Sequence, residues 1–271
     1  MKTRTAAAAL AAVSLVACGS ESAPPAATVP APKVLRIVFP EGFTRAQMID
    51  RVRAVREIAR VKRHVTMRMT PAAYAAATAA SPIPVQFRKD AHELIEGFLF
   101  PATYAFFSNE TARRFVRRQL NAFGRAWRRV DMRYARSKNL TPYDVLIIAS
   151  MIEREVVVPR ERKLVAAVVY NRLRAGMPLQ IDATLRYGLD IPPTEPITKD
   201  HLASDSPYNT RIRTGLPPTP IANPGLASMQ AAAHPAKVDY IYFVRKPDCR
   251  SHFFTASAAE FEAYTRAGLQ C

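Results

Sequence analysis

The stretch Leu146–Leu173, "LIIASMIEREVVVPRERKLVAAVVYNRL", decides the fold. Its first half is apolar on nearly every side, which a helix with one solvated face is not, so it predicts a helix through the centre of a core. Thr141 stands as the cap, Pro142 in the first turn, and Asp144 where the positive helix start favours a carboxylate. Pro159 separates this helix from a second one, closed by Gly176 as a terminating glycine. An ionisable side chain, Glu153, ends the apolar run. One turn earlier on its face, Ala149 and Ser150 are small enough to let a ligand approach. Burial beside Ile148, Ile152 and Val157 would disfavour the charged form, as a general acid working near neutrality requires. Glu155 lies about 200° round the helix and cannot pair with Glu153 on one face. A surface glutamate at a helix end is the bland alternative.

Before this core, "VLRIVFPEGFTRAQMIDRVRAV" predicts a strand, a turn at Pro40–Gly42 and a helix opened by a Thr44/Gln47 capping box. Thr70 and Pro71 open a second helix. "IEGFLFPATY", from Ile95 to Tyr104, is an aromatic-rich strand or loop, followed by one long arginine-rich amphipathic helix over 109–139. A solvated basic face is the plain account of those arginines, and a wall- or membrane-facing role the sharper one. Beyond the core helices, the Pro-rich segment 206–225 has no helical or strand period and is too long for a connector, which suggests a substrate-lining loop. A short helix, a hairpin around "PDCR" and a last helix capped by Ser257 with Glu260 complete the chain. Helices and strands mix without regular βαβ alternation, so the class is α+β.

The 271 residues carry a formal net charge of +17. The first 22, "MKTRTAAAALAAVSLVACGSES", combine a basic start with an apolar core too short to span a bilayer, the pattern of an export signal. "LVAC" resembles the lipobox of bacterial lipoproteins, with Cys18 as the lipidated residue and a Pro/Ala/Ser tether behind it. An exported basic chain meets anionic lipid and wall polymers rather than nucleic acid. Of the three cysteines, Cys249 and Cys271 are then left as a candidate disulfide, with two free thiols as the alternative. The boundaries that follow are a leader over 1–17, a tether over 18–33, a small N-terminal module over 34–94 and a catalytic domain over 95–271.

No Gly-rich phosphate loop or G-x-S-x-G elbow is present, and His64, His92, His201, His234 and His252 show no metal-ligand spacing, so neither a cofactor nor a metal is expected. Carboxylate chemistry remains, with one difficulty. Ordinary glycosidases use two carboxylates, and Glu153 shows no partner in the sequence; one acid suffices when the substrate supplies its own nucleophile.

Six ordered blocks, "FPEGFT", "IEGFLFPATY", "IASMIEREV", "ERKLVAAVVYNRLRAGMPLQIDATLRYGL", "SPYNTRIRTGLPPTPIANPG" and "MQAAAHPAKVDYIYFV", resemble the MltG-type (YceG-like) endolytic murein transglycosylases. The resemblance spans about Leu35 to Tyr264. It implies a LysM-like N-terminal module, reduced here, before a mixed α+β catalytic domain. It also implies cleavage of peptidoglycan strands between N-acetylmuramic acid and N-acetylglucosamine, leaving 1,6-anhydromuramic ends. Glu153 matches the family's essential glutamate. Glu96, Tyr104, Asn171, Gln180, Asp182, Tyr187, Tyr208, Asn209 and Thr210 are the substrate-binding candidates, being amides, hydroxyls, carboxylates and rings suited to sugars; Asp182 has the alternative of capping a short helix. Peptidoglycan is the implied substrate, the membrane the anchor surface through Cys18, and peptidoglycan synthases are candidate partners, all in the cell envelope. A non-catalytic peptidoglycan-binding lipoprotein of the same fold is the alternative function. The chain departs from the family pattern at Val156 (usually threonine), Ala102 (usually acidic), Ile181 and Ala183.

Overall fold

The computed structural model describes residues 31–91 and 95–271. The expected leader, Cys18, nearly all of the tether and His92 lie outside the described residues. Residues 32–271 form one compact unit. In chain order its elements are β1 (Val34–Val38), α1 (Arg45–Arg63), α2 (Pro71–Ala79), β2 (Thr103–Phe107), α3 (Ala112–Trp127), α4 (Arg133–Ser137), α5 (Pro142–Glu155), α6 (Arg162–Arg174), α7 (Asp182–Gly188), α8 (Lys199–Ala203), α9 (Leu226–Ala233), β3 (Tyr242–Arg245), β4 (His252–Thr255) and α10 (Ala258–Arg266). The mixture is α+β, with its strands in two antiparallel pairs, β1–β2 and β3–β4.

Tyr143 and every residue from Val145 to Ile152 are buried, so α5 is surrounded by protein, and it packs on α6, α7 and α9. Thr141 and Asp144 close a full capping box at its start, satisfying two otherwise orphaned donors. Thr44 with Gln47 does the same for α1, and Thr70 caps α2 behind Pro71. β1 and β2 alternate: Leu35, Ile37, Tyr104 and Phe106 point into the core while their neighbours face water, as a strand with one buried face must. Their register pairs Val34 with Phe107 and Val38 with Thr103, so residues on both sides of the expected 94/95 boundary share one sheet. Phe39, Tyr74, Tyr104 and Phe115 meet beneath it, and Phe87, Phe98, Phe123 and Trp127 form a second aromatic group. Each such ring withdrawn from water contributes about 1.5–3 kcal/mol.

Several expectations are corrected. The segment 109–139 is two helices, because the chain turns after Trp127 and Asp131 accepts the Arg133 N–H at 3.0 Å, an aspartate bracket that restarts the helix. The apolar spacing continues across this break, so periodicity alone missed it. Val157 is exposed at 47%, whereas Ile148 and Ile152 are fully buried. Ser257 receives the Glu260 N–H as expected, but the Glu260 carboxylate bonds Thr255 instead of closing the box. Cys249 and Cys271 are joined, tying the hairpin turn to the C-terminus.

Candidate active site

The Pro40–Phe43 turn and the end of the segment 220–225 meet at Glu153. The Pro40–Phe43 turn is stitched to the segment 220–225: the Gly42 N–H donates to the Asn223 carbonyl (3.0 Å), and the Asn223 N–H and side-chain amide both donate to the Phe43 carbonyl (3.0 and 2.9 Å). The Ile221 N–H donates to Ser150 Oγ at 3.0 Å. The small face of α5 therefore admits the chain's own loop, where a ligand had been expected. At Gly97 (φ +91°) a Cβ would stand 2.8 Å from the Pro220 ring, so only glycine lets this loop close on the 95–99 segment.

The Glu153 side chain is 6% exposed. Its Oε2 accepts the Gly225 N–H at 2.9 Å, and its Oε1 lies 3.8 Å from an Arg162 Nη. Gly225 is the N-cap of α9, so the positive end of that helix also faces the carboxylate. Arg162 is held in turn by Ser228 through Nε (3.2 Å). On the outer side Gly42 would bring a Cβ to 3.5 Å of Glu153 Cγ, and the Arg154 guanidinium donates to the Gly42 carbonyl at 3.3 Å.

A second carboxylate is present, contrary to the expectation from sequence. A Cβ on Gly225 would fall 1.8 Å from Glu41 Oε1, so Gly225 is the point where Glu41 and Glu153 both arrive. Burial of its carboxylate end and then the charge of Glu153 raise the Glu41 pKa, with Arg162 opposing. Glu41 lies in the "FPEGFT" block, where it reads as a turn residue. The only signal for its role is that a Pro-Glu-Gly turn aims a carboxylate outward.

Glu96 organises the neighbouring wall. Both its oxygens accept the Arg45 N–H (3.0 Å each), Oε1 accepts the Asn223 amide (2.6 Å) and Oε2 the Tyr187 hydroxyl (3.4 Å). Burial pushes its pKa up to about 7 against the pull of these donors. Tyr187 stacks edge-on to Tyr208 at 5.3 Å, and the Tyr208 hydroxyl meets Thr219. Glu96, Tyr187 and Tyr208 are thus brought together. A cavity of about 660 Å³ opens beside them, lined also by Thr44, Gln47 and Arg154.

The other candidates are more dispersed. Gln180 and Asp182 line a cavity of about 710 Å³ that shares Arg154, Ala183 and Arg186 with the first. Asp182 is not the cap of α7, whose N-cap is Ile181; its carboxylate holds Arg211 Nε at 2.8 Å. Gln180 Oε1 accepts from Arg172. Thr210 is buried against Ile181 and Thr184, and Asn209 spends its amide on the Leu202 and Ser204 carbonyls. Asn171 does likewise with Val238 and Tyr240, away from Glu153 along α6. The Tyr104 hydroxyl donates to the Phe100 carbonyl at 2.7 Å. Asn223 and Arg162 were missed: a buried asparagine in an aperiodic loop is visible in sequence, but its partners at 43, 96 and 99 are not. Among the described residues no group of three or more His, Cys, Asp or Glu could hold a metal ion.

A sheltered carboxylate facing an exposed one across a glycine, with a guanidinium alongside, can move a proton onto and off a bridging oxygen. The YceG-like family model matches residues 16–267. The chain belongs to the YceG-like family. A crystal structure of a yceG-like protein from Listeria monocytogenes matches it with a TM-score of 0.67 at 32% identity, over 84% of this chain and 75% of that one. An endolytic murein transglycosylase of Bacillus subtilis is 38% identical over 160 residues, 59% of this chain and 44% of that protein. One of Streptococcus pneumoniae is 31% identical over 231 residues, 79% of this chain and 41% of that protein. The chain thus spans less than half the length of the curated relatives it matches. For a YceG-like protein, the departures now have places: Val156 is buried at the end of α5, Ile181 is buried at the cap of α7, and Ala102 is half-buried beside β1.

Proposed function

We propose that the protein is a peptidoglycan lytic transglycosylase, cleaving the bond between N-acetylmuramic acid and N-acetylglucosamine within strands and leaving 1,6-anhydromuramic ends. The observation that carries it is the convergence at Gly225: Glu153 is shielded from water, oriented by an N–H on one oxygen, and shares that glycine with the Glu41 carboxylate. Glu153 protonates the glycosidic oxygen as the bond to the anomeric carbon breaks. The muramic 6-hydroxyl then attacks that carbon, and its proton passes to the ionised Glu153, restoring the acid. Intramolecular attack gains from proximity, with effective molarities that reach ~10⁵ M. Glu41, when ionised, faces the positive charge that develops on the sugar. Its presence also gives hydrolysis a route, through a water activated by Glu41, and the two routes leave different ends.

Glu96, Tyr187 and Tyr208 are proposed to line the path of the glycan, with Gln180 and Asp182 further along. Asn209 and Thr210 are proposed to support that wall from behind, and no contact with the glycan along this path is proposed for Asn171 or Tyr104. Export, lipidation at Cys18 and attachment to a membrane of the cell envelope are proposed from the leader sequence, and a reduced LysM-like module over 34–94 ahead of the catalytic domain 95–271 from the "FPEGFT" resemblance. Among the described residues no helix is long and apolar enough to cross a membrane.

The test is digestion of purified sacculi followed by mass spectrometry of the soluble muropeptides. Anhydro ends support the proposal; reducing ends alone indicate a hydrolase; binding without any product indicates the wall-binding lipoprotein.

A further inference from the structure

Next to the Gly225 junction lies a groove of about 720 Å³ that the proposed chemistry does not use. One side is the start of β2 with Ala102, Thr103 and Tyr104; the other is α3 and the turn after it, which contribute Arg118, Arg125 and Arg129, with Leu226 of α9 at the end. No acidic residue lines it. Arg118 is already engaged, bonding the Glu110 carboxylate at 3.0 Å and the Ala105 carbonyl at 2.7 Å. Among the described residues Arg125 and Arg129 have no acidic partner, and both are exposed. Arg125 is near enough to Tyr104 to act on its hydroxyl electrostatically. The groove is also anchored to the active site: Leu226 follows Gly225 directly, and the Ala102 carbonyl accepts the Phe39 N–H (3.0 Å), two residues before Glu41.

Ala102 has a particular place here. An acidic residue at this position would put a carboxylate between the two walls and neutralise the arginines. In this chain the position is a methyl group, and the positive charge is left uncompensated.

We propose that this groove is a subsite for the stem peptide of the muramic acid at the cleavage point, binding its carboxylates through Arg125 and Arg129. This rests on a glycan strand being the substrate, as proposed above. The stem leaves the sugar from the lactyl ether close to the scissile bond, so a carboxylate-bearing arm must run alongside Gly225. The groove starts there, has the volume of a pocket for a ligand of a few residues, and carries the opposite charge. Arg118 positions the wall by packing on Tyr104 with its guanidinium 5.9 Å from the ring centre.

The test compares soluble glycan fragments that carry stem peptides with the same fragments stripped of them by an amidase. Binding is measured by calorimetry at two salt concentrations and KM by product release, for wild type, the Arg125→Ala/Arg129→Ala double variant and Ala102→Asp. Two exposed charge pairs are expected to give wild type about a tenfold preference for the peptide-bearing fragment, smaller at high salt. That preference should fall to about one in both variants. Equal affinity of wild type for the two fragments, or a preference that survives in both variants, overturns the proposal. So does a double variant that loses sedimentation with phosphatidylglycerol vesicles while keeping its preference, since the arginines would then serve a lipid surface. Calorimetry reads the subsite even if no fragment is cleaved, in which case the transglycosylase proposal fails and the subsite is still judged.

Discussion

Replacing Glu96 by glutamine should change how stability depends on pH, and the size of the change follows from the site. Burial pushes the Glu96 pKa up to about 7 from its ordinary 4.5. Between those values the folded protein holds a proton that the unfolded chain releases. The stabilisation from this proton is therefore fully present below about pH 4.5 and is lost as pH rises through about 7. A shift of that size corresponds to ~3 kcal/mol, or roughly 6–12 °C in Tm for a domain of this length. Glutamine keeps the shape, an acceptor oxygen for the Arg45 N–H and no charge. Urea unfolding of wild type and Glu96→Gln from pH 4.5 to 8 is the assay. Glu41 and Glu155, whose pKa values are also raised by burial, contribute to both proteins and cancel in the difference. The variant should gain on wild type by about 3 kcal/mol across the window. Parallel curves, or a variant that loses ground as pH rises, would refute a buried Glu96 whose burial outweighs its donors.

Three further outcomes are expected. Gly225→Ala places a methyl on the Glu41 carboxylate, and because that side chain can swing into solvent the cost in stability is only about 1 kcal/mol; kcat/KM on peptidoglycan fragments should fall by the same factor as in Glu41→Gln, and full activity of the alanine variant alongside a crippled Glu41→Gln would contradict the shared junction. Opening the Cys249–Cys271 bond, which closes a loop with a sequence separation of 22, should lower stability by about 3 kcal/mol; thermal melts with and without reductant check this, and identical melts would show that the bond constrains nothing. Asn223→Ala removes the amide that joins Glu96 to Phe43 and leaves the Leu99 N–H without its acceptor, so a loss of roughly 2–4 kcal/mol is expected in urea titrations, and a loss below 1 kcal/mol would contradict its role as a hub.

Local signals carried most of the helices. Thr44 with Gln47 and Thr141 with Asp144 announce their helix starts because a capping box is written within four residues, and the all-round apolar character of α5 follows from counting. Glu153 was legible because it interrupts that pattern and because its block has a family likeness. What could not be read is whatever depends on long-range closure. Glu41 meets Gly225 across more than 180 positions, and Asn223 meets Glu96 across 127, so no spacing reports them. The gap between α3 and α4 was hidden for the opposite reason: the apolar period runs on through residues whose backbone is diverted by Asp131. The small face of α5 reads from sequence as room for a ligand, and the chain's own Ile221 N–H takes it instead, because residue size reports space and not its occupant.

The most direct test of the central claim is the muropeptide spectrum released from sacculi by wild type and by Glu153→Gln. Wild type should leave 1,6-anhydromuramic ends. The variant, which keeps the side chain's size but has no proton to give, should fold equally well and release at least ~100-fold less. Reducing ends in place of anhydro ends, or anhydro ends from the variant at the wild-type rate, would contradict the account.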